Sequence, residues 1–225
     1  MYLHDLTEYK KILNQRNKLL KQISFQPSLR DTLEIWDDKL IEFGKKIIHR
    51  RREFVEQLES IVYQINQRLT GGSEQLYVRY EPDAAENDFE YKLKKNIEKD
   101  LRTFTTNAGP HRDDLNFLNG DIDLRRYGSQ GQQRTCALSL KLAEIDLVKQ
   151  LIGDQPILLL DDVLSELDRN RQNYLLDSIH DIQTIVTCTG LEEFIDSRLT
   201  LDKVFRVVNG TVSLENGGND GNRSK

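Results

Sequence analysis

Cysteine is scarce in this chain, and so is any long apolar run. Cys136 and Cys188 are its two cysteines in 225 residues. They are too few for a disulfide framework and match no metal-ligand spacing, so a reducing compartment, the cytoplasm, is expected. No apolar stretch approaches the roughly 20 residues that cross a bilayer, which excludes a helical span. The opening residues Met1-Tyr2-Leu3-His4-Asp5 are charged and helical in character, unlike a secretory signal. An excess of positive charge is also missing. The formal net charge is −5, which excludes a generally basic nucleic-acid coat but leaves local basic patches open. No internal repeat is visible. Proline is absent from 29–69, so nothing there breaks a helix.

What is present is enough sequence for one large or two modest domains with a real core. Residues 3–24 carry an apolar stripe from Leu3 to Ile23, and Pro27-Ser28 ends it. A second helix is expected from about Leu29 to Leu69, with Leu33, Trp36, Leu40, Phe43, Ile47, Phe54, Leu58, Ile61, Ile65 and Leu69 on one side. At 1.5 Å per residue it would be roughly 60 Å long, which reads as a projecting arm or coiled-coil base. Gly71-Gly72 closes it. A strand at Leu76–Tyr80, a helix over 88–106 and a hairpin of 114–118 with 122–126 around Asn119-Gly120 follow. Beyond them the pattern predicts a helix at 132–152, strands at 157–161 and 184–188, and a helix at 169–180. A short helix at 191–195, strands at 204–208 and 211–214 and a disordered tail at 215–225 complete it.

The most informative stretch is Pro156-Ile157-Leu158-Leu159-Leu160-Asp161-Asp162, followed by Ser165-Glu166-Leu167-Asp168. Four apolar residues form a buried parallel strand that delivers two adjacent carboxylates to its C-terminal end. Ligands bind at that end of open α/β sheets, and Mg²⁺ with nucleotide phosphates takes carboxylate oxygens there. Upstream, Gly128-Ser129-Gln130-Gly131-Gln132 opens a long helix. Bare backbone N–H groups, a positive dipole end and the Ser129 hydroxyl suit an anion.

Ser-x-Gly-Gln at a helix start, a helix of about twenty residues, a strand ending Asp-Asp and then Ser-x-Leu-Asp resemble, in order and spacing, the C-terminal half of an ABC-type ATPase head. The resemblance sets Ser129, Gly131 and Gln132 in the signature motif, Asp161 as the Walker B acid, Asp162 as the catalytic acidic position and Ser165–Asp168 as the D-loop. Gly128-Ser129-Gln130-Gly131-Gln132-Gln133-Arg134-Thr135, the 158–168 wording, Gly109-Pro110-His111-Arg112-Asp113-Asp114 and Tyr9 with Gln15-Arg16-Asn17 are together similar to the RecF family of bacterial DNA replication and repair proteins.

That resemblance implies an α/β fold: the C-terminal half of an ABC/SMC-type, P-loop NTPase head (109–214), behind an N-terminal helical arm domain (1–108). It implies a weak DNA-dependent ATPase that dimerises around ATP and Mg²⁺, clamps DNA, helps load recombinase at single-strand gaps and supports the SOS response with RecO and RecR. Asp161 would hold the metal, and Asp162 would position or deprotonate the attacking water. Ser129, Gln130, Gly131 and Gln132 would grip the partner's ATP, with Asp168 at the dimer seam.

Two departures qualify the likeness. No Gly-x-x-x-x-Gly-Lys-Ser/Thr loop occurs, and the one Gly-Lys pair, Gly44-Lys45, sits inside the long helix. The chain is therefore expected to be the C-terminal portion of such a protein, holding half of its own nucleotide site. Cys188 also stands where ABC heads carry a switch histidine, and Asp162 is shorter than the usual Glu, which together imply slow hydrolysis. A head fragment of SMC or SbcC type and a stand-alone DNA- or partner-binding module remain alternatives. Lys45, Lys46, His49, Arg50, Arg51, Arg52 and the Lys92–Arg102 group are either phosphate contacts or solvated helix faces. His111 and Arg112 bind phosphate or cap the hairpin structurally.

Overall fold

The computed structural model describes residues 1–164, 167–189 and 201–215. Two compact units divide between Leu151 and Ile152. In the first, α1 (Tyr2–Ile23) and α2 (Leu33–Thr70) are joined by a 3-10 turn at Pro27–Thr32. Proline fits the start of that turn, so the second helix begins at Leu33 rather than Leu29.

α2 keeps one stripe buried along its whole length. Its first half packs on α1 and its second half on the strand β1 (Leu76–Glu81). The buried stripe also differs from the sequence reading. Leu33, Leu40 and Ile47 lead, and Ile41, Ile48, Val55, Val62 and Leu69 take over at seven-residue steps, while Phe54 is exposed. A straight helix drifts about 20° per heptad, so the face in contact rotates along it. Gly71, in the left-handed region at φ 61°, caps the end.

The expected 88–106 helix is two short ones, α3 (Phe89–Lys95) and α4 (Ile97–Thr103), hinged at Asn96. Phe89 explains both its own place and Gly44. Its ring lies so close to α2 that a Cβ on Gly44 would sit 2.3 Å from it. The Gly44-Lys45 pair is thus a helix–ring contact, not a remnant of a phosphate loop. β1 pairs antiparallel with β2 (Asp114–Asn119), which pairs with the two-residue β3 (Ile122–Asp123). The expected return strand 122–126 stops early because Asp123 caps a helical turn, α5 (Leu124–Tyr127), by accepting from the Arg125 N–H at 2.9 Å. α6 (Gln130–Ile152) follows, and its Ser139 lies 3.5 Å from Asn66 of α2, both buried.

The second unit holds β4 (Leu158–Asp161) parallel to β5 (Thr184–Thr187), α7 (Arg169–Ser178), and the hairpin β6 (Val204–Val208) with β7 (Thr211–Glu215). The expected helix at 191–195 and the tail beyond 215 lie outside the described residues.

Arg16 ties the first unit together. Its side chain is fully buried, bonded to Asp37 at 2.6 Å and Asp100 at 2.7 Å, with Thr106 at 2.8 Å. Asn17 accepts from the Thr106 N–H and hydroxyl, and Asp100 accepts from the Asn107 N–H. One guanidinium therefore joins α1, α2, α4 and the loop leading to Gly109. Removing one member of a buried ion cluster leaves uncompensated charge. Arg16→Leu is expected to lower stability by about 3–5 kcal/mol in urea unfolding, and Arg16→Leu with Asp100→Leu to cost less than Arg16→Leu alone.

Candidate nucleotide-contact elements

The turn before α6 is fixed from below. A Cβ on Gly128 would lie 2.5 Å from the Leu124 carbonyl oxygen, so only glycine lets α5 and α6 meet at this corner. Ser129 and Gln132 then form a reciprocal cap. The Gln132 N–H donates to Ser129 Oγ at 3.2 Å, and the Ser129 N–H donates to Gln132 Oε1 at 2.9 Å. The Gln133 N–H takes the Ser129 carbonyl at 2.9 Å. The N–H groups of Gln130 and Gly131 take no partner among the described residues. Ser129 Oγ accepts in the cap and keeps its own proton to donate. Gly131 faces open space: a Cβ there would meet only Ser129 Oγ, at 3.9 Å. Nothing in the packing of the described residues requires that glycine.

In the second unit, register pairs Asp161 with Thr187 across β4 and β5. The Thr187 hydroxyl donates to Asp161 Oδ1 at 2.5 Å and accepts from the Asp162 N–H at 3.2 Å. The same N–H reaches the Thr187 carbonyl at 3.1 Å. Asp162 stands in the left-handed region at φ 51°, a conformation Asp tolerates better than most residues. Both aspartates are exposed. Thr187 is a site residue that no motif marks; its one sequence signal is a hydroxyl residue closing the strand next to the Asp-terminated one. Asp168 caps α7, accepting from the Asn170 and Arg171 N–H groups at 3.1 Å and from Arg171 Nη1 at 2.6 Å. Ser165 and Glu166 of the same motif lie outside the described residues. Cys188 is exposed just past β5.

The Gly109–Asp114 motif is a joint. Gly109, at φ 127°, donates its N–H to Asp83 at 3.0 Å, and a Cβ there would collide with Tyr9 Oη at 2.4 Å. Asp113 accepts from Arg51 Nη1 at 2.8 Å, from the Tyr80 hydroxyl and from the Asp83 N–H at 2.9 Å. His111 Nε2 donates to the Thr106 carbonyl at 3.0 Å, which leaves Nδ1 to accept from the Tyr9 hydroxyl at 2.8 Å. Burial holds the Tyr9 phenol well above its ordinary range and the His111 imidazole below its own. The basic residues of α2 and α3 are largely committed nearby: Arg50 to Asp5, Arg51 to Asp113, Arg52 and His49 to Glu86, Lys46 to Glu42, Lys92 to Asp83 and Lys94 to Glu90.

The chain is 58% identical over 212 residues to the DNA replication and repair protein RecF of Lachnoclostridium phytofermentans, covering 94% of itself and 59% of that protein. The RecF of Lachnospira eligens is 57% identical over 218 residues, with 96% and 60% covered. This chain belongs to the RecF family. Family-model comparison gives no match. The solved structure of the recombination mediator protein RecF-ATP in the RecFOR pathway matches the fold with a TM-score of 0.85 at 36% identity, over 96% of this chain and 58% of that one. The fold is accordingly the α/β one of the C-terminal half of an ABC-type ATPase head with its helical arm. This RecF-family chain spans about 59% of the length of the curated relatives it matches.

Ser129→Ala removes the cap and should cost about 1 kcal/mol of stability, whereas Gly131→Ala should raise stability by up to about 1 kcal/mol; thermal melts of the chain read both. For His111 the folded value lies below the free one of 6.5, so its contribution is complete above pH 6.5 and fades as pH falls through the folded value. Stability measured against pH should drop over that window, and the part due to this imidazole should vanish in His111→Asn.

Proposed function

We propose that this chain supplies the signature-motif and Walker B portion of an ATP-dependent DNA-binding clamp of the RecF type, acting in replication and repair. The observation that carries the reading is the first turn of α6. It is stapled in shape by Ser129 and Gln132, yet leaves two N–H groups, a hydroxyl proton and a side-chain-free Gly131 facing outward. A terminal phosphate of ATP bound by a partner subunit fits those donors in chemistry and in room. Ser129, Gln130, Gly131 and Gln132 bind it there.

At the end of β4, Asp161 and Asp162 supply carboxylate oxygens of the type Mg²⁺ takes when most of its remaining ligands are waters and phosphates. Asp161 would hold the ion through its water shell, and Asp162 would orient the attacking water. Bound Mg²⁺–ATP supplies the charge that both elements answer and the link that closes two subunits. Asp168 has its carboxylate in the α7 cap and lends that turn to the dimer seam. With aspartate at 162 and cysteine at 188, hydrolysis is slow and ATP acts mainly as a clasp.

By role the chain divides into an arm, 1–108, a head portion, 109–214, and a tail, 215–225. Packing divides it elsewhere because α6 reaches α2 through Ser139 and Asn66. Gapped DNA, a second subunit and the RecO and RecR proteins are the partners, in the cytoplasm. Of the cations of α2 and α3, Arg51 is held in a partly buried pair with Asp113, while exposed pairs such as Lys46–Glu42 and Lys94–Glu90 are weak enough to exchange for a phosphate.

The test uses the chain alone and with a family P-loop lobe supplied at its N-terminus. Alone, it should show negligible ATP hydrolysis; turnover that disappears with Asp161→Asn would contradict that. With the lobe, ATP should shift sedimentation from monomer to dimer, and Ser129→Arg or Gly131→Ala should abolish the shift, with thermal melts reporting that each variant is folded. A sedimentation profile indifferent to ATP would overturn the clamp reading.

A further inference from the structure

Thr187 makes three contacts with the two carboxylate-bearing residues, more than its place in a strand requires. Parallel pairing accounts for its carbonyl, which takes the Asp162 N–H at 3.1 Å. The hydroxyl does something different. Its proton goes to Asp161 Oδ1 at 2.5 Å, and an oxygen lone pair receives the Asp162 N–H at 3.2 Å. One side chain thus engages both acidic residues, as donor to the first and acceptor from the second, which only a hydroxyl does at this size. Serine, the other small hydroxyl, would keep the chemistry, and valine would keep the shape alone.

Two consequences follow from the geometry. The bond to Oδ1 fixes the rotamer of an otherwise exposed carboxylate and leaves Oδ2 for an outside ligand. The bond from the Asp162 N–H anchors a residue whose backbone stands in the left-handed region at φ 51°, a conformation that persists where neighbours hold it. Removing the hydroxyl frees the Asp161 carboxylate from that rotamer and takes away one of the two acceptors of the Asp162 N–H, whose bond to the Thr187 carbonyl remains.

We propose that Thr187 is a positioning residue for the cation-binding pair, holding Asp161 and Asp162 in the arrangement that a divalent ion with its water shell requires. This deepens the reading of the β4 end given above and rests on it. Partners that orient metal-binding carboxylates from behind typically matter about 10–100-fold in metal affinity.

The experiment titrates the chain with Mn²⁺ and follows paramagnetic broadening of backbone NMR signals around 161–162, with no nucleotide and no turnover involved. The parent chain and Thr187→Ser should broaden there at similar Mn²⁺ concentrations, and Thr187→Val should need about tenfold more. The spectrum elsewhere in the same samples reports whether each variant is folded, and the serine variant keeps the test alive if the valine one is not. Broadening in folded Thr187→Val at the parent concentration, combined with its loss in Asp161→Asn, would overturn the role of Thr187 and leave the cation site standing. Unchanged broadening in Asp161→Asn would overturn both.

Discussion

The buried guanidinium of Arg16 is the constraint on which the rest of the first unit depends. A fully desolvated charge is tolerable only with partners on several sides, and here they come from α2, α4 and the loop after α4. That requirement sets where the 103–109 loop runs. The loop delivers Gly109 against Tyr9 and Phe89, and Asp113 to Arg51, Tyr80 and Asp83. From Asp113 the chain enters β2, turns through α5 and reaches the Ser129 cap. The open turn at α6 follows that joint along the chain and is held in shape by its own cap.

The second unit is built on a different economy. Its described parallel strands keep Leu159 and Ile185 exposed, as is Ile157 just before β4, and the hairpin keeps Phe205, Val207, Val212 and Leu214 exposed. Leu160, Leu164, Leu175, Leu176, Ile179 and Ile182 are buried, and hydrogen bonds around Thr187 add order at the functional end. Short-range polar bonds hold both candidate contact elements, the Ser129–Gln132 staple in one unit and the Thr187 clasp in the other. Each fixes backbone shape while leaving oxygen or N–H groups turned outward.

Much of this was legible in the residues. The long helices, the parallel strand ending in Asp161 and the Asn119-Gly120 turn follow from periodicity and turn chemistry, and the motif order pointed to the RecF family. What stayed hidden depends on through-space partners. Nothing local announces that Phe89 uses Gly44 as its seat, that Arg51 is a joint rather than a phosphate contact, or that Asp123 ends its strand by capping α5. The exposed Phe54 was misplaced because a seven-residue pattern drifts on a 3.6-residue helix. Thr187 offered only a hydroxyl at a strand end, and its meaning comes from lying across from Asp161, 26 residues away in sequence.

The central claim is that the first turn of α6 is held open for a phosphate. Its most direct measurement is amide hydrogen exchange at Gln130 and Gly131 in the chain joined to a family P-loop lobe, compared with ATP and with ADP. Strong protection of these two amides with ATP, and none with ADP, is the predicted result. Equal exchange in both nucleotide states would contradict it.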